Sequence, residues 1–367
     1  MRILFTCRPA YGHLFPLLPL ALAAKAAGHD VVFGTGEAFV PKVRDLGFEA
    51  HRAGIGIAEA ETEAKRRHGE DAGFVDVGIT MFGELLPQSL LDDLTPLLPK
   101  LRPGLVIYEM SDVGAGIAAR RAGLPAVSVV IGRSMPPELL AVAAERLRPL
   151  WGALPADALL GDACVDVWPD SLRDPGTAAV PTTFRMRPTP FDPDVPLPPL
   201  PGDFVYLTLG TVVYGATQLL RGAIHALSRL DVDVLVALGP GDPAELGPLP
   251  DRVRVAGFVP QAEVLKHASL VVHHGGTGTT LAALGAGLPQ LILPQGADQF
   301  ANADALSSLG AAKALVGDAV RMDAIETAAR TLLSDPEPRE IAQRVAREIA
   351  GMPSPEQVLA EVVSWAG

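Results

Sequence analysis

The densest chemistry in the chain lies between positions 270 and 299. A β-rich run, Leu270-His274 (LVVHH), opens directly into Gly275-Gly276-Thr277-Gly278-Thr279-Thr280 and then into a helical stretch. Glycines at a strand-to-helix turn let backbone approach a ligand closely. The first turn of the helix offers free N–H groups and the positive end of its dipole. Thr279 and Thr280 add hydroxyl donors and His274 a ring N–H, a set suited to a diphosphate. Asp298 and Gln299 open the next strand-to-helix connection, where a carboxylate beside an amide suits sugar hydroxyls. A glycine-rich turn alone is as readily a plain tight turn, and the polar residues at neighbouring sheet ends are what give it chemistry. The order G-x-G-x-x-G is absent, and G-x-x-x-x-G-K-[ST] does not occur. These absences argue against a nicotinamide dinucleotide site and against a P-loop.

The second constellation is Gly12-His13-Leu14-Phe15-Pro16, which follows the run Arg2-Cys7 (RILFTC). Histidine exchanges its proton closest to neutrality, so one at the carboxyl end of a strand can take a proton from a hydroxyl. A lone histidine is more often structural, and the residues alone leave both roles open. Asp192-Asp194 and Asp231-Asp233 resemble metal-holding pairs, but one lies in a proline-rich stretch and the other between a helix and a strand. Both read as solvated charges. His273 and His274 are adjacent on a strand and should point to opposite faces. Cys7 and Cys164 give no disulfide framework and no ligand spacing, so no metal is expected.

The elements that must position these residues alternate between strand and helix. Strands are expected at Arg2-Cys7, Asp30-Thr35, Leu105-Tyr108 and Ala126-Ile131, with helices over 15–27, up to Gly47, 80–100 and 113–122. Residues 185–203 contain seven prolines, which rules out a regular helix or a central strand. Strands then resume at Phe204-Leu209, Asp233-Leu238, Val253-Phe258, Leu270-His274 and Gln290-Pro294. The expected class is α/β, two Rossmann-like doubly wound domains facing across a cleft, with ligands at the carboxyl ends of the strands. The expected divisions are 1–190, a linker 191–203, 204–352 and a terminal helix in 353–367.

With 49% hydrophobic and 20% charged residues, the 367-residue chain has apolar material for two cores. A net charge of −12 argues against nucleic-acid and anionic-membrane partners, which need a basic face. Arg8, Pro9, Gly12, His13 and Lys25 interrupt the first apolar run, so neither a secretory leader nor a span is expected there, and the expected place is the cytoplasm.

The segment 257–305 (GFVPQAEVLKHASLVVHHGGTGTTLAALGAGLPQLILPQGADQFANADA) resembles the donor-binding signature of the family 1 glycosyltransferases of the GT-B fold, in particular the bacterial antibiotic glycosyltransferases of the macrolide and enediyne type. The resemblance is strong over 257–305, good over 1–35 and 103–131, and weak over 50–100 and 132–200. It implies inverting, metal-independent transfer of a sugar from a dTDP- or UDP-sugar, dTDP before UDP, to a hydroxyl of a small natural-product aglycone, with no further cofactor. A homodimer is compatible with it. By motif, Phe258 and Val259 fall where the base is held, His274, Gly275, Gly276, Thr277, Gly278 and Thr279 around the diphosphate, and Asp298 and Gln299 at the donor sugar. Gly210-Thr211 matches the loop beside the phosphates. His13 falls on the family's general base. The acidic partner of that base, usually Asp, falls on Glu109, and Asp112 stands close enough in sequence to substitute. Ala282 replaces a glutamate that bonds ribose in many relatives, so this position does not choose between UDP and dTDP. The last helix, within 354–366, would cross back to the first domain with Trp365 as its anchor. An apolar acceptor site would draw on Phe74, Met81, Phe82, Leu85, Leu86, Met135, Leu139, Leu140 and Trp151, most of them ordinary core positions. A nucleotide-sugar 2-epimerase of the same fold and a non-catalytic nucleotide-sugar-binding protein are the alternatives.

Overall fold

The computed structural model describes residues 1–69, 73–134, 137–151, 161–192, 194–200, 202–210 and 217–367. The chain divides into two compact units. The first contains Met1–Val167, Asp174–Met186 and Pro353–Gly367, and the second contains Trp168–Arg173 and Arg187–Met352.

The first unit is built on seven parallel strands: β1 (Arg2–Cys7), β2 (Asp30–Thr35), β3 (Glu49–Arg52), β4 (Leu105–Glu109), β5 (Ala126–Val129), β6 (Ala163–Asp166) and β7 (Thr182–Arg185). Their order across the sheet is β3-β2-β1-β4-β5-β6-β7. The second sheet holds β8 (Phe204–Thr208), β9 (Asp233–Ala237), β10 (Val253–Ala256), β11 (Ala268–His273), β12 (Gln290–Ile292) and β13 (Ala312–Ala314), in the order β10-β9-β8-β11-β12-β13 and again all parallel. Each sheet therefore reverses its winding between its first strand and its fourth, at β1/β4 and at β8/β11. Connections diverge there, and the carboxyl ends of the two strands are left open to a ligand.

Helices cover both faces of each sheet, which is why the central strands read as unbroken apolar runs. In β8 the pleat separates the two faces: Val205 and Leu207 pack with Leu220, Ile224, Leu227, Ile325 and Leu332, while Phe204 and Tyr206 pack with Val264, Leu265, Ala282 and Ala283. In the first unit Leu4, Val32, Val106 and Tyr108 pack against Leu90, Leu94 and Leu98 of the helix Leu86–Leu101. On the same strands Phe5 stacks on Phe33, ring centroids 5.3 Å apart. The helix Pro355–Ala366 packs on the helix Leu18–Ala26 and on β7, burying Val358, Leu359 and Val362. Its Trp365 meets Phe184 edge-on at 6.3 Å.

Strands β3, β6, β7 and β13 were not expected from the sequence. They are three or four residues long, and β3 (EAHR) and β13 (AKA) carry charges because they lie at sheet edges. Asp192 is a correction: it is not a solvated charge. Both its carboxylate oxygens accept from the Ala262 N–H at 3.1 Å, so this proline-rich stretch is tied to the start of the helix Gln261–Leu265. Asp231 is solvent-facing and pairs with Arg252 at 2.6 Å. Among the described residues no helix is long and apolar enough to cross a membrane.

Candidate active site

The site in the first unit forms where β1 and β4 end side by side, with Thr6 in register with Tyr108. Beyond β1 the chain makes a tight turn in which the His13 and Leu14 N–H groups both donate to the Ala10 carbonyl, and one helical turn, Tyr11–Leu14, presents His13. Glu109 is the last residue of β4 and is fully buried. His13 Nδ1 lies 2.9 Å from Glu109 Oε1. Glu109 also accepts from the Ser111 N–H and the Ser111 hydroxyl, each at 2.7 Å. Burial alone would push the Glu109 carboxyl up. The charge and hydrogen bond of His13, with Arg8 and Ser111 behind them, overcome burial and hold it below the usual carboxylate range.

A carboxylate on Nδ1 fixes the tautomer: Nδ1 carries the proton and Nε2 keeps its lone pair. His13 has 22% of its side chain exposed, so Nε2 can meet a hydroxyl while the carboxylate behind it stays dry. Asp112 makes no bond to His13. It sits at the N-cap of the helix Val113–Arg121 without capping it, and its Oδ1 lies 3.6 Å from Arg8 Nε. Burial first, and the Glu109 charge second, raise its carboxyl. Of the two acidic candidates, Glu109 is the one that reaches the imidazole.

The site in the second unit forms at the other reversal, between β8 and β11. β11 ends at His273, and His274 is the first residue past it. The two rings stand at 88°, turned to different surroundings. His273 is fully buried, donates from Nε2 to Gln290 Oε1 at 2.8 Å and accepts the Gly275 N–H on Nδ1 at 3.1 Å. Burial pushes its ring down to about 3. His274 lies between two glycines. A Cβ on Gly210 would stand 2.6 Å from its Cε1, and one on Gly276 would stand 2.5 Å from its Nε2. Only glycine leaves room for this ring. Burial lowers it to about 4, and Nδ1 has no partner among the described residues. His274 is therefore a neutral hydrogen-bond donor at physiological pH, not a fixed cation.

The helix Thr277–Gly285 begins beside it, and among the described residues no side chain caps its first turn, so the leading N–H groups of a helix remain available there. Gly278 is exposed, and Thr279 Oγ1 lies 3.4 Å from Gln261 Nε2. Thr277 is turned inward: its hydroxyl donates to Asp298 Oδ2 at 2.8 Å. Thr280 is a correction to the expected hydroxyl donors, because it is fully buried with its Oγ1 sealed in the core. Asp298 is the N-cap residue of the helix Gln299–Leu309. Gln299 is buried, and its amide oxygen accepts the Gln295 and Gly296 N–H groups at 2.8 and 3.2 Å, which leaves Nε2 as the end that can reach a ligand. Val259 is buried in the core against β8, Phe258 is partly exposed, and Ala282 packs in the same apolar cluster with no carboxylate to offer. Thr211 lies outside the described residues.

Three residues matter here that sequence reasoning missed. Asn302 is fully buried, and its Nδ2 reaches the Gly275 carbonyl at 2.8 Å, Thr277 Oγ1 at 3.0 Å and Asp298 Oδ2 at 3.0 Å. It ties the glycine turn to the Asp298 carboxylate. Its signal was an amide one helical turn after Asp298. Ser111 was legible as a hydroxyl two residues past Glu109, and Arg8 as a charge at the end of an apolar strand. Among the apolar acceptor candidates, Met81 and Leu86 are core residues packed with Ala60, Ala64 and Val77, and Leu85 packs against them. Leu139 is partly buried, and Phe82 is 37% exposed. Met135 and the side chains of Phe74, Leu140 and Trp151 lie outside the described residues.

Two parallel-sheet α/β units, each with a ligand-ready reversal point, are the architecture of the GT-B glycosyltransferases. The chain belongs to the erythromycin biosynthesis protein CIII-like family, whose N-terminal domain model matches residues 22–194 and whose C-terminal domain model matches residues 221–365. It is 34% identical to the L-demethylnoviosyl transferase of Streptomyces niveus over 91% of this chain and 90% of that one. It is 32% identical to the elloramycin glycosyltransferase ElmGT of Streptomyces olivaceus over 89% of each. The spinosyn rhamnosyltransferase SpnG, solved with thymidine diphosphate, superposes with a TM-score of 0.82 at 25% identity, covering 100% of both chains. The family 1 antibiotic glycosyltransferases expected from the motifs are thus the group to which this chain belongs.

Proposed function

We propose that this enzyme transfers a sugar from a dTDP-sugar to a hydroxyl of a small natural-product aglycone, with inversion at the anomeric carbon and without a metal ion. The observation that carries this is the 2.9 Å bond between His13 Nδ1 and the buried Glu109 carboxylate. A protein that only binds nucleotide-sugars has no use for a histidine oriented in this way. Nε2 of His13 takes the proton of the acceptor hydroxyl as its oxygen bonds to the anomeric carbon. The bond from that carbon to the diphosphate oxygen breaks, and dTDP leaves with the electron pair. Direct displacement of this kind inverts the centre. Charge growing on the diphosphate is met by the His274 N–H and by the uncapped N-terminus of Thr277–Gly285, donors fixed in place before the reaction.

The names of the relatives support a natural-product acceptor, and the thymidine diphosphate held by a structural neighbour supports dTDP over UDP. The test is incubation with a panel of dTDP- and UDP-sugars and hydroxylated polyketide-like aglycones. Glycoside and free dTDP should appear together, and the anomeric proton coupling of the product should report the configuration opposite to the donor. Retention of configuration, or consumption of donor without any glycoside, would sink the proposal.

A further inference from the structure

Behind His13 and Glu109 lies a charged side chain that the transfer chemistry above does not use. Arg8 follows the last residue of β1, and its side chain is 2% exposed. One terminal nitrogen donates to the Ser111 carbonyl. Its Nε stands 3.4 Å from Glu109 Oε1 and 3.6 Å from Asp112 Oδ1. Its guanidinium carbon lies 4.6 Å from the centre of the Phe82 ring, within reach of a cation–π contact. Nε and Nη1 have no hydrogen-bond partner among the described residues. Arg8 therefore acts on the two carboxylates mainly as a charge.

One guanidinium among two buried carboxyl groups leaves an excess negative charge if both ionise, and such a charge is costly away from water. The geometry decides which group keeps it. Glu109 accepts from Ser111 and lies against His13, whereas Asp112 has neither contact. Burial, with the Asp112 charge behind it, pushes the Cys7 thiol up, so that neighbour stays neutral. Among the described residues, the charged and titratable groups facing Arg8 are Cys7 and His13 from the β1 side and Glu109 and Asp112 from the β4 side. From Met81–Leu85 the Phe82 ring lies against the guanidinium, while Glu84 pairs with Arg67 at 2.6 Å.

We propose that Arg8 is a positioning residue for this reaction: its buried charge keeps Glu109 as the ionised carboxylate, and thereby keeps the His13 proton on Nδ1 and the lone pair on Nε2. The inference rests on His13 being the base. It also accounts for the placing of Phe82 between solvent and the guanidinium, where the ring shields the charge that tunes the base.

The test needs no substrate. In the full-length protein with labelled histidines, the His13 resonance, assigned by its loss in His13→Gln, is titrated by NMR. Without the Arg8 charge the buried Glu109 should take up a proton, and His13 then loses the anion beside Nδ1, so in Arg8→Met the His13 midpoint should fall by about half a pH unit or more. Arg8→Lys keeps the cation and should leave the midpoint at the wild-type value. If Arg8→Met does not fold, Arg8→Met/Asp112→Asn removes one positive and one negative group together, and its midpoint should still lie below that of Asp112→Asn alone. A midpoint unmoved or raised in the methionine variants, or moved equally by lysine, would overturn the role of Arg8, because a rise is what loss of a cation gives when Glu109 stays ionised without it. Turnover by His13→Ala at the wild-type rate would instead overturn the base, and this inference with it.

Discussion

His13 and Glu109 stand 96 positions apart in the chain and 2.9 Å apart in space. β1 and β4 are neighbours in the sheet although β2 and β3 separate them in sequence, so the winding reversal itself brings a histidine and a carboxylate together. Replacing His13 by Ala should cut turnover by about 10²–10⁴-fold on an aliphatic alcohol acceptor while leaving dTDP affinity unchanged. Glu109→Gln should lose less, because the base remains but its charge partner does not. Asp112→Asn should lose least, since Asp112 does not touch the imidazole. Steady-state kinetics on the three variants would rank them, and a larger loss in Asp112→Asn than in Glu109→Gln would contradict the pairing.

The neutral state of His274 makes a prediction for nucleotide binding. Its ring is held at about 4, so dTDP affinity should show no weakening between pH 6 and pH 8 that follows loss of a histidine charge. His274→Ala should weaken dTDP by roughly 10-fold or more, the loss of one hydrogen bond to a charged group. Calorimetric titration with dTDP at several pH values measures both. A sigmoidal fall in affinity that vanishes in the variant would mean that His274 binds as a cation.

Folding stability should respond to the same histidines. His273 at about 3 and His274 at about 4 both lie below an ordinary histidine, near 6.5, so the unfolded chain binds these protons where the folded chain does not. Their contribution is complete above about pH 6.5 and is lost as pH falls towards 4, by an amount on the order of a few kcal/mol. Urea unfolding of His274→Gln across pH 7.5 to 5 should show about one proton fewer taken up on unfolding than wild type. Identical slopes would place the His274 ring in water.

Much of this was legible in the sequence. The glycine turn, His274, Asp298 and the central strands followed from apolar runs and from polar residues at their ends, while His13 was singled out by the family resemblance of its motif. The short edge strands were not legible, because three residues such as Ala312–Ala314 carry no period. Thr280 was misjudged because helix phase, not residue type, decides which hydroxyl in TGTT turns outward. Asp192 looked like a free charge because its partner is a backbone N–H 70 positions away.

Asn302 gives a further test. Asn302→Ala removes the amide that joins the Gly275 carbonyl, Thr277 and Asp298, and should lower stability by about 1–3 kcal/mol. Asp298→Asn keeps the shape of the corner and should impair use of the donor sugar while sparing dTDP binding. Thermal unfolding and calorimetry separate the two effects. Equal loss of dTDP affinity in Asp298→Asn would remove Asp298 from the sugar.

The helix Pro355–Ala366 completes the first unit only after the whole of the second has been made. On the ribosome, the face of Leu18–Ala26 that will receive Val358, Leu359 and Val362 waits uncovered while Arg187–Met352 is synthesised and folds. The unit begun first is thus finished last. Chains that stop short of residue 353 would display that face to chaperones and proteases even with the second unit fully formed.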